Sequence, residues 1–172
     1  MQLFTRKFSR RSFGLSAAAM ALAVAAKATA SETETSVRLT IVGRKGTRTR
    51  LTDADLDRLE QVNLDTTTFW TNGVQHFEGV LLRDVLALAG IDPSGETGNI
   101  EAEAYNEYTV ALPISDAMTW DVILARRMNG KVLTLRDKGP LWIIYPRDQD
   151  SALLDKSYNH RWVWQLRQFK LL

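Results

Sequence analysis

The sequence contains few of the side chains that usually carry out catalysis or bind metals. No cysteine occurs among its 172 residues, which excludes disulfides, thiolate metal ligands and cysteine nucleophiles. The two histidines, His76 and His160, are far apart, and no metal-ligand spacing surrounds them, so turn or surface positions are expected. Neither a G-x-S-x-G nucleophile elbow nor a glycine-rich phosphate loop is present. We therefore predict no metal site and assign no catalytic residue.

Basic residues beside two apolar segments are better candidates for a binding function. In the stretch LRDKGPLW, Arg136 and Lys138 stand at a Gly-Pro turn directly before an apolar run. In YNHRWVW, Arg161 alternates with tryptophans, so it can point into a cleft while the tryptophans pack in the core. Cations and backbone N–H groups at the rim of a sheet can bind phosphate or another anion. The alternatives are a charged turn that keeps the chain soluble and an exposed strand arginine.

The first 30 residues are predicted to be an export signal. A positive front precedes an alanine-rich apolar run, and the small residues 28–30 place cleavage before Ser31. The order SRRSFGL in residues 9–15 matches the twin-arginine signal, which exports folded proteins, so we expect a periplasmic location. An ordinary secretory signal is the alternative. A membrane anchor is not expected, because the run from Phe13 to Ala26 is shorter than the ~20 residues that span a bilayer.

Removal of this signal changes the charge of the protein. Five of the 22 basic residues and none of the 20 acidic residues precede residue 31, which leaves 17 basic against 20 acidic residues. A net charge near −3 gives no general affinity for nucleic acid. We expect a flexible polar leader at 31–36 and one domain at 37–172, long enough to bury a core without disulfides.

Hydrophobic patterning predicts an α+β fold with a mixed, mostly antiparallel sheet and short helices. Helices are expected after Thr52 and from Val80 to Ala89, and NGVQHFEG is expected to be a turn. The predicted strands are VRLTIVG, VNLDTTTFW, IEAEAYNEYTVAL bent at Asn106-Glu107, DVILARRMNGKVLTL as a hairpin at Asn129-Gly130, LWIIYP as a central strand, and HRWVWQLRQF with Trp162, Trp164 and Leu166 on one face.

From Phe77 to the C-terminus the chain resembles the molybdopterin-binding domain of the sulfite-oxidase type. The similar stretches are FEGVLLRDVLALAGI, DVILARRMNGKVLTLRDKGPLWIIYP and the final WVWQLRQF. In particular, the chain is similar to short exported members that lack the haem and dimerisation domains of full sulfite oxidases. The resemblance implies a β-rich α+β fold and molybdopterin as a cofactor. Insertion of that cofactor in the cytoplasm would explain the export of a folded protein.

The chain departs from this family at the metal ligand. Redox-active members bind molybdenum through a cysteine after the strand that here reads VNLDTTTFW, where this chain has threonines. A threonine hydroxyl is less acidic and harder than a thiolate, so thiolate-bound molybdenum is not expected. A pterin can still be held without that bond. The resemblance implies a cofactor-binding cleft formed by Thr66, Thr67, Thr68, Asn106, Arg136, Lys138 and Arg161.

Three functions remain open on the sequence. We favour an exported ligand-binding or sensory-accessory domain that binds a small anionic ligand or a pterin, with a membrane-bound redox or sensory partner as one option. The second is a molybdopterin-dependent oxidoreductase with a threonine or solvent oxygen in place of the cysteine. The third is a structural domain whose sheet edge or tryptophan-rich C-terminal segment meets another protein.

Overall fold

Ten strands account for most of the regular structure in the computed structural model, which describes residues 36–172. The predicted signal, and the leader up to residue 35, lie outside the described residues. The strands are β1 (Val37–Val42), β2 (Arg48–Thr52), β3 (Gln61–Thr67), β4 (Val74–Leu81), β5 (Asn99–Ala104), β6 (Thr109–Pro113), β7 (Ile123–Met128), β8 (Lys131–Val132), β9 (Trp142–Ile144) and β10 (Leu166–Leu171). The helices are α1 (Asp53–Asp57), α2 (Leu82–Leu88) and α3 (Asp116–Thr119), with 3-10 helices at Ser151–Leu154 and Lys156–Arg161.

The strands form two sheets. The first has the order β2-β1-β10-β5-β6, and the second has the order β3-β4-β7-β8 with β9 also paired to β7. Strands β1 and β10 are parallel, whereas the other pairs within residues 36–172 are antiparallel. This confirms the predicted α+β fold with a mixed, mostly antiparallel sheet.

Local sequence signals explain several of these elements. Thr52 caps α1 through a capping box, in which its hydroxyl accepts from the Asp55 amide and the Asp55 carboxylate accepts from the Thr52 amide. Asn129 and Gly130 form the turn of the β7–β8 hairpin with φ values of 52° and 73°, as a tight turn of this type requires.

No helix within residues 36–172 is long and apolar enough to cross a membrane.

One continuous cluster of buried apolar side chains draws members from both sheets. It includes Phe77 on β4, Trp142 on β9 and Phe169 on β10, each fully buried. Burying a large apolar side chain contributes roughly 1.5–3 kcal/mol, so this cluster supplies the main driving force for folding. It also gives the neighbouring polar groups a rigid support.

The segment NGVQHFEG is a strand, and its prediction as a turn was wrong. The turn ends at Gly73, and Val74–Leu81 then pairs with β3 and with β7. Gly79 makes this close pairing feasible, because a Cβ atom there would lie 2.2 Å from the Leu124 carbonyl oxygen. Pairing continues through Leu81, so α2 begins at Leu82, two residues later than predicted.

The end of the chain also differs from the prediction. A 3-10 helix runs to Arg161, and the strand begins only at Leu166, because Gln165 adopts a left-handed φ of 53°. The intervening residues run along the edge of β9 that is not paired with β7, where the Ile143 amide donates to the Val163 carbonyl at 2.9 Å. Strand β9 is fully buried as predicted, but it pairs with β7 alone among the described strands and is not central.

Candidate functional site

Three tryptophans surround a cavity of about 350 Å³, which we call the tryptophan cleft. This volume lies at the lower end of the range for small-molecule sites. Most of its wall is aromatic, and its polar side chains carry two amides, one imidazole, one phenol and the indole N–H groups. The lining residues are Trp70, Ala104, Asn106, Tyr108, Asn159, His160, Trp162, Val163 and Trp164.

Trp70 stands at the centre of the aromatic contacts. Its ring centroid lies 5.3 Å from that of Trp164 in an edge-to-face arrangement, and 6.1 Å from that of Trp162. It also lies 6.5 Å from the ring of Trp142 on β9. Aromatic rings at these separations stabilise one another, and a wall of such rings offers apolar faces to a planar ligand.

Thr68 fixes the backbone that carries Trp70. The Thr68 side chain is buried, and its Oγ1 atom accepts a hydrogen bond from the Trp70 amide at 3.0 Å. The same oxygen lies 2.8 Å from Oγ1 of Thr71. These bonds close a tight turn directly after β3, so the threonine segment determines where the indole of Trp70 enters the cleft.

Thr66 and Thr67 attach the end of β3 to the loop after β9. The Thr66 hydroxyl accepts from the Asp148 amide at 3.2 Å, and Asp148 in turn accepts from the Thr67 amide and hydroxyl at 2.7 and 2.6 Å. Arg147 donates to the Thr67 hydroxyl at 2.6 Å, and its guanidinium lies 4.4 Å from the ring of Phe69. All three predicted threonines therefore already have hydrogen-bond partners from the protein.

Lys138 does not line the cavity, but it brings a positive charge next to Trp164, which does. Its Nζ atom lies 5.3 Å from the ring centroid of Trp142 and 6.0 Å from that of Trp164. The Lys138 carbonyl accepts from the Gln165 amide at 3.0 Å, which joins the turn to the segment that carries Trp164. An ammonium group over indole faces is attracted to them and remains able to bind an anion.

Arg136 and Arg161 do not line the tryptophan cleft. Arg136 is exposed on the same turn as Lys138. Arg161 follows His160 in the chain, but its Nη1 atom donates to the buried carboxylate of Asp116 at 2.7 Å. Its guanidinium also stacks 4.5 Å from the ring of Tyr158. The charge of Arg161 is therefore already neutralised by an internal partner.

Asp116 accepts a second hydrogen bond from a buried tyrosine. The Tyr145 hydroxyl donates to the same carboxylate oxygen at 2.8 Å. Burial raises the pKa of Tyr145 well above its usual value of 10.0, and the negative charge of Asp116 raises it further. Tyr145 thus stays protonated at neutral pH. The network holds the 3-10 helix that carries Asn159 and His160 against the core.

The structure brings some of the predicted site residues together and separates others. Thr68 and Lys138 contact the tryptophans of the cleft, and Asn106 lines it. Thr66 and Thr67 do not line the cleft, and their hydroxyls bind Asp148 instead. Of the nine lining residues, the sequence assigned only Asn106 to the site, and Trp162 and Trp164 were expected to pack in the core. The Phe69-Trp70 pair directly after the threonines was the available signal for Trp70.

Three buried polar atoms near the cleft or beneath it lack a protein partner among residues 36–172. They are Oδ1 of Asn159 and the indole nitrogens of Trp142 and Trp162. Buried polar groups usually have a hydrogen-bond partner, and Asn159 and Trp162 both line the cleft. All three atoms are shielded from solvent, so they lie behind the surface of the cleft and do not face its open space.

Neither histidine belongs to a metal centre. His76 pairs with Asp65 on the neighbouring strand at 2.6 Å, and His160 is exposed at the cleft. Within residues 36–172, no group of three or more histidine, aspartate or glutamate side chains is arranged to hold a metal ion.

A second, larger cavity of about 580 Å³ has a charged wall. Four of its charged residues bind one another: Arg126 nitrogens lie 3.1 Å from an Asp53 oxygen and 2.5 Å from an Asp57 oxygen, and Nε of Arg38 lies 2.6 Å from an Asp53 oxygen. Its lining also includes Asn63, Glu78 and Arg127 but no aromatic ring, so it offers no stacking surface to a planar ligand. We therefore regard the tryptophan cleft as the candidate site.

Comparison with known proteins identifies relatives of the fold. The family model described as "oxidoreductase molybdopterin binding domain" matches residues 25–149, well over half of the chain. Among solved structures, the sulfane dehydrogenase SoxCD from Paracoccus pantotrophus is similar, with a TM-score of 0.57 and 21% sequence identity. The match covers 78% of this chain but 37% of that one, so the chain spans little more than a third of its length. No curated protein sequence matches the chain.

Proposed function

This chain belongs to the oxidoreductase molybdopterin binding domain family, and on that premise we propose that it is an exported domain whose tryptophan cleft binds a small anionic ligand of the pterin type. The observation that carries the proposal is the set of three indoles around one cavity, with the ammonium group of Lys138 against the ring of Trp164. A pterin is planar and carries ring nitrogens and an oxygen. It therefore needs both an apolar face and in-plane hydrogen bonds.

The residues present suit such a ring and its phosphate. Trp70, Trp162 and Trp164 offer apolar faces and edges, while the amide of Asn106 and the imidazole of His160 can form hydrogen bonds. Lys138 would receive the phosphate through a charge-assisted hydrogen bond, with Asn106 as a neutral donor. When bound, molybdopterin supplies a dithiolene that can chelate molybdenum.

The residues present do not suit a bond from the protein to molybdenum. The chain has no cysteine, and each hydroxyl of Thr66, Thr67 and Thr68 is engaged in a hydrogen bond that shapes the site. We therefore propose ligand binding without thiolate-bound molybdenum, and no observation favours an oxygen-ligated oxidoreductase. The proposed export rests on the twin-arginine sequence, and a membrane-bound redox or sensory partner would receive the signal of the bound ligand.

Two tyrosines on the β5–β6 turn provide a matched test of this function. Tyr108 lines the cleft, whereas Tyr105 does not, and both are exposed. We expect a pterin monophosphate to quench the tryptophan fluorescence of the purified domain. Tyr108→Ala removes one aromatic wall and should weaken binding by about 1 kcal/mol, or about fivefold. Tyr105→Ala should leave the affinity unchanged.

Either of two results would refute the proposal. One is the absence of saturable quenching by the pterin monophosphate in the unmodified domain. The other is an equal loss of affinity in the Tyr105→Ala and Tyr108→Ala variants, because that would place the ligand elsewhere on the turn.

A further inference from the structure

A line of aromatic rings connects the tryptophan cleft with a separate surface of the domain. From Trp162 in the cleft, the next ring is that of Tyr145 at a centroid distance of 5.9 Å. Tyr145 lies 5.9 Å from Trp120, and Trp120 lies 5.5 Å from Tyr158. Trp162 and Tyr145 are buried, whereas Trp120 and Tyr158 are partly exposed. The line thus passes through the core and ends where solvent has access.

Two of these rings donate their N–H or O–H to a carboxylate. The Tyr145 hydroxyl donates to Asp116 at 2.8 Å, and Nε1 of Trp120 donates to Asp150 at 2.8 Å. The Trp120 bond and the Ala152 amide lower the pKa of Asp150, which keeps its carboxylate ionised at neutral pH. Removal of an electron from a phenol or an indole makes its proton strongly acidic. A carboxylate at hydrogen-bond distance can then take that proton and stabilise the oxidised ring.

We propose that Trp162, Tyr145 and Trp120 form a relay that carries a one-electron oxidation from the tryptophan cleft to the surface. A peroxyl radical in the cleft takes one electron from the Trp162 indole, which leaves a hydroperoxide anion and the Trp162 radical cation. Tyr145 returns an electron to that indole and transfers its phenolic proton to Asp116, which leaves a tyrosyl radical. The products of this step are neutral Trp162, the Tyr145 radical and protonated Asp116.

The second step moves the radical to the partly exposed end of the relay. Trp120 gives an electron to the Tyr145 radical while Asp116 returns the proton to it, and the Trp120 indole proton passes to Asp150. A soluble thiolate or ascorbate then supplies one electron to the Trp120 radical, and Asp150 returns the proton to its indole nitrogen, which restores Trp120. The relay would protect the cleft from oxidative damage, and it does not depend on the identity of the ligand proposed above.

The chain offers a direct test because it has only four tyrosines, at positions 105, 108, 145 and 158. The other three are replaced together (Tyr105→Phe, Tyr108→Phe, Tyr158→Phe), so that Tyr145 is the sole source of a tyrosyl radical. Tyr145 is fully buried, so an azide radical generated by pulse radiolysis cannot reach it from solution. We expect indolyl-radical absorption to decay into tyrosyl-radical absorption at a rate independent of protein concentration. No tyrosyl radical in this variant would overturn the proposal.

Removal of Trp120 separates the two steps. With Trp120→Phe added to the single-tyrosine variant, the tyrosyl radical should still form, because the partly exposed Trp70 can pass the oxidation to Trp162, 6.1 Å away, and Trp162 can pass it to Tyr145. Its lifetime should increase, because the outlet to the surface is gone. Loss of the tyrosyl radical would refute the first step, and an unchanged lifetime would refute the second. Tyr145→Phe in the triple variant supplies the tyrosine-free baseline.

Discussion

Lys138 differs from the other two predicted cations in where its charge lies. Its ammonium group lies over the indoles of Trp142 and Trp164, whereas the guanidinium of Arg161 is bound to buried Asp116 and Arg136 is exposed. A cation at the edge of an aromatic cleft is less screened than one in open solvent, and it is not neutralised by an internal carboxylate. Phosphate recognition should therefore depend on Lys138.

Substitution of the two residues on one turn tests this assignment. Lys138→Ala should weaken binding of a pterin monophosphate by roughly 1.5–3 kcal/mol, or about one to two powers of ten, through loss of a charge-assisted hydrogen bond. Arg136→Ala removes the same charge from the same turn without touching the cleft and should have little effect. Isothermal titration gives both affinities. Equal losses of affinity in the two variants would mean that the turn attracts the ligand only through its overall positive charge. An unchanged affinity in Lys138→Ala would exclude Lys138 from the site.

At the scale of elements, the turn that carries Lys138 is held by close backbone packing. Gly139 lies against Leu133, and a Cβ atom on Gly139 would stand 2.2 Å from the Leu133 carbonyl oxygen and 2.4 Å from its carbonyl carbon. Backbone atoms cannot rotate out of the way as side chains do. Any larger residue at position 139 must therefore displace the turn, and with it Lys138.

Two glycine substitutions separate this packing effect from ordinary turn strain. Gly139→Ala should lower the free energy of unfolding by roughly 3 kcal/mol or more, at the upper end of overpacking effects. Gly130→Ala has open space around its Cβ position but a φ of 73°, so it should cost only about 1–2 kcal/mol. Urea denaturation measures both. A smaller loss for Gly139→Ala than for Gly130→Ala would contradict the packing argument.

The elements that the sequence predicted well are those determined by neighbouring residues. The Asn129-Gly130 hairpin and the helix capped by Thr52 depend on contacts within a few residues, and both occur as predicted. The tryptophan segment after Arg161 does not occur as predicted, because its path depends on Gln165. The Gln165 amide donates to the Lys138 carbonyl, and its side chain donates to the Leu135 carbonyl. Such long-range bonds leave no periodic signal. For the same reason, the sequence could not show that Arg161 pairs with Asp116.

At the scale of the whole molecule, the proposed periplasmic role depends on the export signal. The double substitution Arg10→Lys and Arg11→Lys keeps the charge but removes the arginine pair, so precursor should accumulate in the cytoplasm if the twin-arginine route is used. Cell fractionation detects this, and protease resistance shows whether the retained protein is folded. Arg6→Lys, outside the pair, is the control and should be exported. Normal export of the double variant would exclude this route.

The central claim is that the cleft binds a pterin-type ligand and that the protein does not retain molybdenum with it, because the chain has no thiolate to add to the dithiolene. The most direct measurement is the molybdenum and pterin content of untagged protein purified from the periplasm of its own host. The account predicts molybdenum far below one atom per chain, together with a pterin that is released on denaturation. Stoichiometric molybdenum that survives gel filtration would contradict it, because the chain would then hold the metal despite having no cysteine.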